Sequence, residues 1–208
     1  SDFVSIADHL SRVAIEEPCQ AALVTRDRTI SFAELAEESN VCTRGLQRIG
    51  LRRGMRTILM VQPSAEFLIV TFALIKIGAV LVLVDPGMGP SKLKKCLAES
   101  EAEAFIGIPA AHLARIVLGW GKDTVRTCVT LGSIPIFGAS SYKRLMHWGR
   151  TEESLRLDPI APDDPAAIVF TSGSTGPPKG VLYTHQMFCS QATLLKDQFQ
   201  IAPGEVDL

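Results

Sequence analysis

The sequence predicts an α/β fold: doubly wound, mostly parallel sheets with helices on both faces. Three observations predict it. Segments of helix length and strand length alternate from residue 31 to residue 131, the order that builds βαβ units. Residues 79–84 form a short, β-branched apolar run closed by Asp85 and Pro86, as in a parallel strand buried on both faces. The composition suits a sizeable core, with 208 residues, 47% of them hydrophobic, and a mean hydropathy of +0.22.

Each element has its own signal. Residues 3–16 put Ile6, Leu10 and Val13 on one helical face. Residues 21–25 and 29–31 flank Arg26, Asp27 and Arg28, which predicts a short hairpin. Ser31 and Glu34 make a capping box opening a helix that ends at Gly50. A strand is predicted over 56–61. A helix over 64–77 follows, between the N-cap Ser64 and the stop Gly78, and the strand 79–84 comes next. Ser91 is expected to cap a helix to about Ser100. A strand at 104–108, a helix near 110–118 and a strand near 125–131 complete the series. Residues 67–84 are interrupted only by Thr71 and Lys76, which brings them near the length of a membrane span. Lys76 would sit near the bilayer centre, so helix-then-strand is the better account.

Charge and cysteine usage narrow the function classes. A hydrophobic chain with 21% charged residues excludes intrinsic disorder. A formal charge of −1 gives no reason to expect nucleic acid or anionic lipid as a partner. The five Cys form no C-x-x-C pair and no His clusters near them, which excludes a disulfide framework or a zinc site and suits free thiols in the cytoplasm. No secretory signal is visible in the first thirty residues. Residues 1–150 carry 18 basic and 14 acidic side chains, and 151–208 carry 3 and 8. Three prolines fall between 157 and 165, so a subdomain boundary is expected near 151–165. The chain starts at Ser1 without Met and stops abruptly at Leu208, and the expectation is a piece of something longer.

The chemistry concentrates after that boundary. An apolar strand, 166–170, runs into Thr171, Ser172, Gly173, Ser174, Thr175, Gly176, Pro177, Pro178 and Lys179. A second short strand, 181–183, follows, and Thr184 then caps a helix to about Phe199. Four hydroxyl side chains occupy the first five loop positions, and glycines let backbone N–H groups turn inward. Amides, hydroxyls and one ammonium make a concave donor site for a polyphosphate. The mononucleotide P-loop places its Lys before Ser or Thr and opens directly into a helix. Here Gly180 follows Lys179 and a strand comes next, so a P-loop NTPase fits neither the spacing nor the context.

The run Thr171 to Lys179 resembles the phosphate-binding motif of the AMP-dependent synthetase and ligase superfamily, the adenylate-forming enzymes. Residues 30–35 are similar to that family's early aromatic-x-Glu-Leu helix start. Glu66, Phe67 and residues 75–86 are similar to its second conserved block. The resemblance covers essentially the whole chain and implies the N-terminal part of the family's large AMP-binding domain, without the C-terminal domain. It implies two-step chemistry. A carboxylate attacks the α-phosphate of Mg-ATP to give an acyl-adenylate and pyrophosphate, and a second nucleophile, CoA or another, consumes the adenylate. By the same resemblance Thr171, Ser172, Gly173, Ser174, Thr175, Gly176 and Lys179 would bind the nucleotide. The magnesium ligand and the catalytic residues are expected beyond Leu208, so the fragment alone is expected to be inactive. Met55 and the run Gln62, Pro63, Ser64 depart from the usual pattern, away from the phosphate loop. Residues 103–109, 111–115, 119–121 and 199–207 look most like the olefin β-lactone synthetase branch, related to fatty acyl-CoA ligases. That branch implies a hydrophobic, fatty or β-hydroxy fatty acid as substrate. A non-catalytic ATP- or partner-binding fragment is the alternative.

Other conspicuous residues have plainer readings. His185 is expected to pack or cap in the first turn of its helix, and His112 and His147 to be satisfied or at the surface. Arg44, Arg48, Arg52, Arg53 and Arg56 read as a solvated face. Cys189 reads as a buried thiol, and Lys76 as a helix end that snorkels to solvent.

Overall fold

The computed structural model describes residues 3–25, 28–153, 155–170 and 179–199. A small antiparallel pair, β1 (Ala21–Val24) and β2 (Thr29–Ser31), precedes the main body. The main sheet has seven strands: β3 (Arg56–Met60), β4 (Val80–Val84), β5 (Ala104–Gly107), β6 (Thr127–Thr130), β7 (Ser140–Ser141), β8 (Pro165–Phe170) and β9 (Gly180–Thr184), in the order β7-β6-β5-β3-β4-β8-β9. Every neighbouring pair is parallel except β8 with β9. The helices are α1 (Ile6–Glu16), α2 (Phe32–Arg48), α3 (Ala65–Ile77), α4 (Pro90–Glu99), α5 (Pro109–Leu118), α6 (Tyr142–Thr151) and α7 (His185–Phe199).

The strands' two-residue period divides the interior into two cores. Leu59, Leu81, Ile106, Val129 and Ala167 face one core with α2, α3 and α6. Their chain neighbours Ile58, Val82, Phe105 and Cys128, with Phe170, face a second core with Leu93, Cys96 and Leu97 of α4. Consecutive side chains of a strand point to opposite faces, so apolar residues at both parities require cover on both sides. That is the doubly wound arrangement the sequence predicts. No described helix is long and apolar enough to cross a membrane.

Local signals fix most helix ends. Ser31 Oγ accepts from Glu34 N at 3.2 Å, and the Glu34 carboxylate accepts from Ser31 N at 2.8 Å, the capping box. Ser64 caps α3, and Gly78 closes it in the left-handed region at φ 73°. Helix α4 differs from expectation: its N-cap is Gly89 at φ 81°, and Ser91 lies inside the first turn. Pro90 takes the first helical position, where its missing N–H costs nothing, so the helix starts before the serine can cap it.

Strand β7 and helix α6 have no counterpart among the predicted elements. Ser141 caps α6 by accepting from Arg144 N at 3.2 Å. The helix packs on α2 at a crossing that tolerates only glycine. A Cβ on Gly149 would lie 1.9 Å from Val41 O, and one on Gly45 would lie 2.4 Å from Leu145 O.

Candidate functional site

The strand entering the predicted phosphate loop is anchored in the sheet. Ala166, Ala167 and Phe170 of β8 are buried, and β8 pairs with β4 in register, Val84 opposite Phe170. The chain leaves β8 at Phe170 and re-enters the sheet at Gly180, its antiparallel partner on β9. Gly180 is required there, since a Cβ would come within 2.8 Å of both Ile168 Cγ2 and Phe170 Cζ. Thr171, Ser172, Gly173, Ser174, Thr175 and Gly176 lie outside the described residues. Lys179 lies within them, exposed, one residue before β9.

The carboxyl ends of β3, β4, β5 and β8 share the edge from which the loop departs. The strand order turns about β3: the chain goes from β3 to β4 on one side, then crosses to β5 on the other. Open α/β sheets bind ligands outside the carboxyl ends of their strands at such a reversal. At the same edge Asp85 N donates to Phe170 O at 3.4 Å, and Asp85 Oδ1 accepts from Gly87 N at 2.8 Å. The backbone after β4 is thereby tied to the residue before the loop.

A polar network holds the other end of the hairpin. Arg53 donates to Pro159 O at 2.7 Å and pairs with the Asp164 carboxylate. The Asp164 carbonyl accepts from His185 N at 3.1 Å, at the start of α7. His185 is 2% exposed, and its Nε2 has no partner among the described residues. Burial holds its pKa below the ordinary value; Asp164 opposes that shift, and Arg53 reinforces it. His185 therefore packs, as its position in the first turn predicts. His112 is fully buried and donates from Nε2 to Val129 O at 2.9 Å, while His147 is exposed.

Three expectations are corrected. Lys76 does not snorkel: it is 4% exposed, and its Nζ donates to Ala36 O at 3.2 Å, Ser39 Oγ at 2.7 Å and Asn40 Oδ1 at 2.7 Å. Helix α2 covers the end of α3, so the stem has no route to water. The arginine cluster is no merely solvated face either. Arg44 donates to Gly149 O, Arg48 pairs with Glu152, Arg52 with Glu103 and Arg56 with Glu101, while Arg53 binds the 159–164 segment. Cys189 is half-buried, with its Sγ 3.5 Å from Val4 O, because α1 covers only part of α7. Among the described residues no group of three His, Cys, Asp or Glu stands together as a metal site.

Comparison with known proteins gives the relatives of the chain. A family model described as AMP-binding enzyme matches residues 10–207. The chain is 44% identical over 215 residues to an olefin beta-lactone synthetase from Xanthomonas campestris pv. campestris, covering 98% of this chain. It is 42% identical to another from Stenotrophomonas maltophilia, again over 98% of this chain. The chain spans 38% and 39% of the length of these two curated relatives. Among solved structures, an anthranilate CoA ligase in complex with anthranoyl-AMP superposes with a TM-score of 0.81 at 25% identity, over 91% of this chain and 36% of that one. A long-chain-fatty-acid-CoA ligase from Archaeoglobus fulgidus gives 0.82 at 22% identity, over 96% of this chain and 40% of that one, a likeness of fold.

Proposed function

The chain belongs to the AMP-binding enzyme family, and from that premise we propose that it is the part of an ATP-dependent acid-activating ligase that grips the departing pyrophosphate. The observation that carries this reading is the 44% identity to an olefin beta-lactone synthetase across 98% of the chain. In the proposed reaction a carboxylate oxygen of a fatty or β-hydroxy fatty acid attacks the α-phosphorus of ATP. The bond from the α-phosphorus to the bridging oxygen breaks, and pyrophosphate leaves with that oxygen. Charge spreads over phosphate oxygens in such a displacement, so catalysis is largely positioning and electrostatic stabilisation. We assign the hydroxyls of Thr171, Ser172, Ser174 and Thr175, the amides of Gly173 and Gly176, and the Lys179 ammonium to the β- and γ-phosphates. The register pair Phe170 and Gly180 supports this, because it fixes both ends of that segment at the ligand-binding edge of the sheet.

For the second step we propose intramolecular closure, in which the acid's own hydroxyl attacks the acyl carbon, a β-lactone forms and AMP leaves. Thioester formation with CoA is the competing outcome, favoured by likeness to the anthranilate CoA ligase. The free cysteines suit a cytoplasmic setting. The boundary proposed near 151–165 would let the segment before β8 act as a strap between two layers of one body.

The test uses the full-length protein with ATP, fatty acids and β-hydroxy fatty acids, with and without CoA. Acid-dependent pyrophosphate exchange and a CoA-independent lactone are expected. Acyl-CoA as the product would remove lactone closure, and no exchange with any acid would remove acid activation.

A further inference from the structure

Helix α5 turns His112 to the core and leaves Leu113, Ile116 and Val117 exposed, a spacing of three and four that places them on one outward face. A surface helix ordinarily shows water its polar face, and α5 shows an apolar one. The face continues into the connection between β6 and β7. A Cβ on Gly132 would lie 2.9 Å from Pro109, the first residue of α5, and Ala139 packs on the second core, the one α5 covers. Both ends of that connection therefore sit beside α5. Between them Ile134 is exposed and Phe137 is 99% exposed. Five large apolar side chains in the open on two adjoining segments are more than scattered surface residues, and such a patch marks an interaction surface.

The charges around the patch choose its partner. Helix α4 lies beside α5, since Leu93 of α4 and Ala111 and Ala114 of α5 line one cavity. It exposes Lys92, Lys94 and Lys95, and Lys122 reaches back to Gly119 at the end of α5. None of these four lysines forms an ion pair among the described residues. Residues 104–122 and 124–151 contain no carboxylate side chain. Glu101 and Glu103 pair with Arg56 and Arg52, which leaves Glu99 and Asp123 as the opposing charges. The formal charge of −1 thus averages over a local excess of positive charge. A second copy of the chain suits this face poorly, because a two-fold contact would bring unpaired lysines against one another. An anionic bilayer suits both halves of it: apolar side chains enter the acyl boundary, and ammonium groups meet phosphates. Helix α7 leaves the face clear, since its Phe188 packs on the first core, across the sheet.

We propose that the α4–α5 layer docks on an anionic phospholipid surface. Leu113, Ile116, Val117 and Phe137 enter the interface, and Lys92, Lys94, Lys95 and Lys122 hold phosphate headgroups. The docking is peripheral, and it stands independently of the acid-activation reading.

Co-sedimentation of the full-length protein with phosphatidylcholine vesicles, with and without phosphatidylglycerol, tests it. Binding is expected only where phosphatidylglycerol is present, and it should fall as salt screens the lysines. Lys92→Gln, Lys94→Gln and Lys95→Gln together should weaken it at least about tenfold. Leu113→Gln with Val117→Gln, both at exposed positions, should weaken it about tenfold as well. Phe137→Ser lies outside any helix and keeps the apolar half of the test readable should that pair fail to fold. An unchanged melting temperature in each variant separates lost docking from lost structure. Absence of binding to phosphatidylglycerol vesicles overturns the proposal, and so does binding that survives the lysine and the apolar variants alike. A dimer that dissociates in Leu113→Gln with Val117→Gln, without vesicle binding, assigns the face to a second copy and overturns it too.

Discussion

Lys76 shows how much a single residue's role depends on its neighbours. Its ammonium has three N–H bonds, and Ala36 O, Ser39 Oγ and Asn40 Oδ1 provide three acceptors. Burial lowers its pKa to about 8, against the opposing influence of Glu37 and Cys42, so the amine is still mostly charged at pH 7. Lys76→Ala removes one donor from each of the three acceptors, although Ala36 O keeps its bond from Ser39 Oγ at 2.8 Å, and opens a cavity; it should cost about 2–4 kcal/mol in urea unfolding. Lys76→Met restores the stem without the donors and should cost less, which separates packing from hydrogen bonding. Lys179 is the opposite case, exposed and one residue before β9. Lys179→Ala should leave the melting temperature unchanged and raise the KM for ATP about tenfold in the full-length enzyme. The role proposed for Lys179 comes from a local pattern, amides, hydroxyls and an ammonium crowded into one short run. The role of Lys76 has no such pattern, because Asn40 and Ser39 are 36 and 37 residues away in sequence.

Elements with local signals were legible, and those defined by a distant surface were not. The capping box of Ser31 and Glu34 needs nothing beyond one helical turn, so sequence reading places it. Helix α4 was misplaced by two residues because Gly89 and Pro90 outrank Ser91 as a start. Helix α6 was missed although Ser141 stands at its N-cap. Its composition is polar, with Leu145 and Met146 as its buried large residues, so an apolar face of good helical periodicity does not stand out in the sequence. What fixes it is the contact with α2, where Gly149 meets Val41 and Gly45 meets Leu145. Gly149→Ala forces a Cβ into the Val41 carbonyl at 1.9 Å, and the two helices must separate. A loss of at least about 2 kcal/mol is expected in chemical denaturation, although alanine is the better helix former. A stabilised Gly149→Ala protein would show that the crossing is looser than its geometry.

At the scale of the whole molecule, the doubly wound sheet was legible because buried strands are apolar at both parities, as Ile58 and Leu59 are on β3. The sequence marks the segment joining α6 to β8 only as a candidate boundary and is silent on what the segment binds. Its attachment by Arg53 to Pro159 and Asp164 spans 106 and 111 residues, and a charge cluster alone does not name its partners. That attachment bears on pH, because His185 starts α7 against Asp164 while His112 is buried between α5 and β6. Burial lowers the pKa of both histidines below the ordinary 6.5, so the unfolded chain binds more protons than the folded one as pH falls through that value. Their contribution is fully present above about pH 6.5 and is lost as the medium becomes more acidic. The melting temperature should therefore fall between pH 7 and pH 5, a range above the ordinary carboxylate pKa values of about 4. His112→Gln with His185→Gln should flatten the profile over that interval even if the double variant is less stable at pH 7. A slope that survives in the double variant would assign the acid sensitivity to other groups, whereas its loss would trace it to these two buried rings.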